Sequence, residues 1–202
     1  MKPEVRIWCM RHAESENVTS GTAGAVPSVP LTARGRGQAA AAGRVLAAER
    51  PVAIYTSTAL RARQSGEIAA QGAGVSAAPR ALPALTEVGI GALEGSRDPA
   101  VHQLTAQVLH AWVVERDLEP RVADGESGHD VLARTTGAFH DIARAHPGGT
   151  VAVVGHVASL TVALSHLCGL GGAVWGAPLP HAEPFLVRYD HERRAWHCPA
   201  WP

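Results

Sequence analysis

An arginine and a histidine, Arg11 and His12, follow directly on the apolar run Val5-Arg6-Ile7-Trp8-Cys9-Met10 and precede Ala13-Glu14-Ser15. Such a run reads as a short buried strand, so the pair is delivered at a strand's carboxyl end, where α/β proteins keep their chemistry. An imidazole beside a guanidinium there suits attack on a phosphoryl group: the imidazole is the nucleophile and the guanidinium neutralises phosphate oxygens. Alone, the dipeptide reads more simply as a strand-capping histidine and a salt-bridged arginine. Two further segments change that balance. Tyr55-Thr56-Ser57-Thr58-Ala59-Leu60-Arg61 places Arg61 near a helix start, where free backbone N–H groups already favour an anion and a guanidinium adds a bidentate donor. Val153-Val154-Gly155-His156 repeats the geometry of His12, with a glycine permitting close backbone approach. Arg63, two positions past Arg61, turns away on a helix and serves as an internal control, a surface arginine. Most of the 11 histidines are expected to be structural or exposed; position at a strand end separates these two.

The elements that must position these groups are legible as βα units. Short β-branched or apolar runs over residues 5–9, 52–55 and 150–154 each give way to a polar or glycine-bearing turn and then to helical periodicity, the pattern of a mostly parallel sheet. Helices are expected over residues 35–49, 60–71, 127–145 and 158–168, the third opened by Ser127 and Asp130 in capping-box spacing, the fourth stopped by Gly169. Residues 183–189 and 195–197, split by the charged turn Asp190-His191-Glu192-Arg193-Arg194, read as a terminal hairpin at a sheet edge. The fold class is thus α/β, a three-layer α/β/α sandwich around a mostly parallel sheet, in one domain over residues 1–202. Residues 97–126, with Trp112, Arg116 and Arg121 among mixed charges, read as a small helical insertion over the site. The Gly/Ala/Ser/Pro-rich loop of residues 19–30 is the other candidate substrate wall. Trp112, Arg116 and Arg121 are candidate contacts to the leaving alcohol, although a tryptophan at helical spacing is more often core than pocket, and Trp196 and Trp201 are expected to be packing residues.

Composition narrows the partners. The chain has 202 residues, 46% hydrophobic, enough for one sizeable core, and its formal net charge is zero, so no global field attracts nucleic acid or an anionic membrane. Cys9, Cys168 and Cys198 are odd in number and scattered, which indicates neither a disulfide framework nor a thiolate zinc site, and a reducing cytoplasm fits best. The N-terminal residues lack a signal-peptide apolar core, so export is not expected. Residues 150–180 contain no Asp, Glu, Lys or Arg, but their histidines, hydroxyls and glycine cluster read as strand, turn and buried helix rather than a membrane span. Oligomeric state is not legible, and a homodimer stays open.

At this point the chain resembles the histidine phosphatase superfamily, the phosphoglycerate-mutase-like fold, of the branch 1 phosphatase type. The resemblance rests on Arg11-His12-Ala13-Glu14-Ser15, Pro30-Leu31-Thr32 with Gly35 and Gln38-Ala39, Ser57 and Arg61, Leu85-Thr86-Glu87, Gly91, Leu93-Glu94-Gly95, Gly125-Glu126-Ser127 and Gly155-His156. It implies a phosphohistidine on His12, phosphate clamped by Arg11, Arg61 and His156, and no metal or cofactor. It also supplies a role that spacing does not, Glu87 as the general acid, which must then carry a proton at neutral pH. Departures matter. Ala13 stands for the motif glycine and Val157 for the glycine after the second histidine. Asn17 lies one residue before the family's phosphate-binding asparagine, whose place Val18 holds, and the arginine often found shortly after the second histidine is missing. The expected activity is metal-independent hydrolysis of a small-molecule phosphomonoester. The alternatives are a cofactor-dependent phosphoglycerate-type mutase, for which the chain looks too poor in arginine-rich insertions, and a non-catalytic phospho-ligand-binding module. A phosphohistidine protein phosphatase fits less well, because the 97–126 segment suggests a covered site.

Overall fold

Val5–Arg11 forms β1 and Glu16–Thr19 a single helical turn, α1; α2 (Ala33–Glu49), β2 (Ala53–Thr56), α3 (Leu60–Ala73) and β3 (Arg80–Ala81) follow. Then come α4 (Pro99–His110), running into a π-helical turn at Ala111–Glu115, α5 (Gly128–Ala145), β4 (Thr150–Gly155), α6 (Val157–Leu167), β5 (Phe185–Asp190) and β6 (Ala195–His197). This computed structural model describes residues 4–202. The sheet order is β3-β2-β4-β1-β5-β6. β3, β2, β4 and β1 run parallel, and the hairpin β5–β6 adds antiparallel strands at the edge beside β1.

Period-two alternation along the strands separates two cores. Val5, Ile7 and Cys9 of β1 with Val151 and Val153 of β4 pack with Phe139 and Ile142 of α5 and Leu160 and Leu164 of α6. Met10, Ala152 and Val154 point to the other face, against Ala39, Ala42 and Leu46 of α2 and Ala62 and Ala69 of α3. Helices on both faces of the sheet give the expected three layers. α5 opens on a complete capping box, with Ser127 accepting from the Asp130 N–H and Asp130 accepting from the Ser127 N–H. α2 starts hard against the loop after β1, where a Cβ on Gly35 would collide with the Glu14 carbonyl oxygen.

The four helices and the hairpin fall where periodicity places them, within about two residues at each end. β1 extends further than expected, taking in Arg11, which pairs with Gly155 of β4. A third apolar cluster underlies the 97–126 segment. There Trp112 is fully buried, its indole N–H donating to the Pro120 carbonyl at 2.9 Å, so it is a packing residue. Trp196 and Trp201 also pack against the core. Among the described residues no helix is long and apolar enough to cross a membrane.

Candidate active site

Register explains why the two histidines meet. Arg11 stands opposite Gly155, so the residues that leave β1 and β4 emerge at one level on adjacent parallel strands. The His12 and His156 rings lie edge to face with centroids 5.1 Å apart. The backbone N–H of His12 donates to the Gly155 carbonyl at 2.9 Å. A Cβ on Gly155 would press on the Leu160 side chain, so glycine there lets α6 begin directly under the strand end. β2 is the next strand over, and the turn after it carries Ser57 and Arg61 into the same crevice.

Hydrogen bonds assign a protonation pattern to the cluster. Nδ1–H of His12 donates to the Ala13 carbonyl at 2.8 Å, which leaves the lone pair on Nε2. That lone pair accepts from Nε of Arg61 at 3.2 Å. Arg61, only 1% exposed, also donates to the carbonyls of Val26 (2.8 Å) and Ala25 (2.9 Å) and to Nδ1 of His156 (3.3 Å). His156 therefore carries its proton on Nε2, which donates to Oγ of Ser57 at 2.7 Å. Arg11 donates to the Leu179 carbonyl at 3.2 Å, while its buried Nε has no partner among the described residues. Arg63 is exposed, as the control requires.

Glu87 reaches the site from the loop after a short 3-10 turn, Pro83–Leu85, and docks at the start of α6. Its carboxylate accepts the N–H of Ser159 (2.9 Å), Ala158 (3.2 Å) and its own neighbour Val88 (2.9 Å), using the positive end of the helix as its seat. Arg134 of α5 holds the chain behind it, donating to the carbonyls of Ala84, Thr86 and Glu87 and pairing with Glu126 at 2.7 Å.

Arg11, His12, Arg61, Glu87 and Asn17 line one cavity of about 310 Å³. His156 is not on its wall; it stands behind Arg61, in contact through the guanidinium. Asn17 and Val18 both face the cavity. The Asn17 Oδ1 accepts from the Ser15 hydroxyl at 2.7 Å, and its amide nitrogen makes no hydrogen bond among the described residues. Gly21, Thr22, Ala23 and Gly24 of the 19–30 loop and His102, Thr105 and Leu109 of α4 complete the wall, so both suspected segments supply it. His102 ties them together, donating to the Gly21 carbonyl at 2.9 Å. Arg116 and Arg121 do not reach the cavity. No group of three or more His, Cys, Asp or Glu among the described residues could hold a metal ion.

Several participants lie outside the expected set. Glu94 accepts the N–H of Ala25 at 2.7 Å and of Ile90 at 2.9 Å, fixing the loop whose carbonyls hold Arg61. His181 donates from Nδ1 to the His12 carbonyl at 3.0 Å. Arg134 had a readable signal. It falls three residues after Val131 and four before Ala138, on the stripe of α5 that the apolar pattern buries. His181 had none.

Burial pushes the imidazoles of His12 and His156 well below the usual 6.5; each next feels a charged or polar neighbour, His156 for His12 and Arg61 for His156. Both are thus neutral in the folded protein, while the unfolded chain takes up protons below about pH 6.5, so stability falls as pH drops through that range. Thermal unfolding midpoints should decline from pH 7 to pH 5 and do so less steeply in the His12→Asn/His156→Asn variant. Parallel pH profiles for the two proteins would refute the assignment.

The sequence matches the family model of the histidine phosphatase superfamily (branch 1) over residues 7–201. No curated protein matches it. Among solved structures, YhfR of Bacillus stearothermophilus is similar at 26% identity, over 97% of this chain and 96% of that one, with a TM-score of 0.80. A mycobacterial glucosyl-3-phosphoglycerate phosphatase complexed with VO3 shares the fold at 21% identity and TM-score 0.78, covering 98% of each chain. A phosphoglycerate mutase from Bacillus anthracis shares it at 16% identity and TM-score 0.83, over 99% of this chain and 93% of that one. With the match running almost from the first strand to the C-terminus, and with the strand-end arginine and histidines gathered on one crevice, the chain belongs to branch 1 of the histidine phosphatase superfamily.

Proposed function

We propose that the protein is a metal-independent phosphatase that hydrolyses a small-molecule phosphomonoester through a phosphohistidine on His12. The observation that carries this reading is the state of His12, a neutral imidazole with Nδ1–H tied to a carbonyl and its Nε2 lone pair facing a buried guanidinium. In the first half-reaction Nε2 attacks phosphorus in line, the N–P bond forms as the P–O bond to the alcohol breaks, and Glu87 relays to the departing oxygen a proton brought in by the monoanionic ester. Arg11 and Arg61 hold the equatorial oxygens, with His156 behind Arg61 supporting the clamp, as charge moves across the phosphoryl group. In the second, Glu87 takes a proton from water, the water oxygen bonds phosphorus, and the N–P electron pair returns to Nε2. The proton relayed in the first step is replaced in the second. Asn17, with an uncommitted amide nitrogen on the cavity wall, is a further donor to phosphate.

Rapid acid-free quenching with a labelled substrate should trap acid-labile, base-stable phosphate on the wild type and none on His12→Ala. A stable covalent label elsewhere, or full turnover by that variant, would sink the mechanism. Phosphate release with no bisphosphorylated primer present separates a phosphatase from a mutase. Binding of phosphate without turnover of any ester would favour the binding module instead.

A further inference from the structure

Beside the catalytic cavity lies a second hollow of about 310 Å³. Leu109 of α4 and Val157 and Ala158 of α6 line both, so the two adjoin at the start of the helix that seats Glu87. The second hollow is walled by Val113, Val162 and Trp175, and no charged side chain lines it. Trp175 is 40% exposed on its rim, an indole left open to solvent and backed by the His110 ring at 5.1 Å. Beyond Arg11 and Arg61, which the phosphoryl group occupies, no arginine or lysine among the described residues lines either hollow. His102 on the catalytic wall has its Nε2 tied to the Gly21 carbonyl, so a leaving group with a carboxylate or a second phosphate would meet no arginine or lysine to pair with in either hollow beyond those two. An apolar one would meet a pocket of the size and lining that small apolar ligands take.

Resting on the phosphatase reading above, we propose that this hollow is the seat of the leaving group and that the substrate is the phosphate monoester of an apolar alcohol without a second anionic group. The chain of that alcohol runs from the catalytic cavity past Leu109 and Val157 and ends against Trp175. α4 and the 174–178 segment thus set specificity, while the strand ends do the chemistry.

The test is kcat/KM for ethyl, butyl and hexyl phosphate, which share a primary leaving alcohol of nearly equal acidity and differ only in apolar length. Glycerol 3-phosphate and 3-phosphoglycerate serve as polar counterparts. Hexyl phosphate should exceed ethyl phosphate by about 200-fold, the gain for four more buried methylenes. Ala106→Trp, an exposed position on α4 that lines the hollow, should flatten that dependence without unfolding the helix. Trp175→Ala should weaken it. Equal turnover of short, long and polar esters would overturn the proposal and leave the phosphatase reading intact. So would a dimer that Ala106→Trp dissociates, with no chain-length effect, because the hollow would then seat a second copy. Absence of both turnover and phosphohistidine with every ester would instead remove the phosphatase reading on which the proposal rests.

Discussion

Replacing His12 with asparagine should cut turnover of any phosphomonoester by about 10⁴- to 10⁶-fold, the loss expected when the nucleophile of a double-displacement site is removed. Asparagine suits the test because its amide stands where Nδ1–H of His12 does and can still donate to the Ala13 carbonyl, as that group does at 2.8 Å, so the strand end keeps its hydrogen bond. Arg11 and Arg61 stay, and phosphate should still bind. Inorganic phosphate affinity measured by calorimetry should therefore change by much less than kcat does. If His12 merely packs between β1 and β4, the variant would retain activity within about tenfold of wild type in proportion to its folded fraction. That outcome would remove the nucleophile assignment.

Glu87→Gln should separate the two half-reactions. With an alkyl phosphate the leaving oxygen needs a proton, and loss of the general acid should cost about 10²- to 10⁴-fold. With p-nitrophenyl phosphate the leaving phenolate needs none, so phosphorylation of His12 should remain fast. Water still lacks its base, and dephosphorylation should be slow. The expected trace is a burst of one equivalent of nitrophenolate followed by a slow steady state, with phosphohistidine accumulating. Equal losses on alkyl and aryl esters, with no burst, would show that Glu87 acts by placing α6 rather than by moving a proton. Its hydrogen bonds to Ser159 and Ala158 make that alternative concrete.

Much of this architecture is legible because its causes are local. β-branched runs, the Ser127–Asp130 capping pattern and Gly169 fix the strands and helices, and parallel strand ends converge by topology. The Arg61/Arg63 contrast likewise follows from helical period alone. The parts that escape are those without periodicity or length. β3 has two residues, both exposed, and exists only through pairing with β2; α1 is one turn. Glu94 and His181 act on backbone groups far away in sequence, and nothing in their neighbouring residues encodes that. Glu87 is readable only through resemblance, because a loop carboxylate carries no pattern until α6 is folded against it. The apolar hollow is assembled from three separate segments, none of which is unusual by itself.

The carbonyls of Ala25 and Val26 sit on Arg61 at 2.9 and 2.8 Å, and Nε of the same guanidinium rests on the nucleophile's lone pair. An arginine has five N–H bonds to give, and four of those here are already committed. The four acceptors are two loop carbonyl oxygens and two imidazole nitrogens, and they take the guanidinium directions that a phosphoryl group would use. If Arg61 clamps phosphate as proposed, the phosphoryl oxygens must exchange with these acceptors rather than simply add to a free guanidinium.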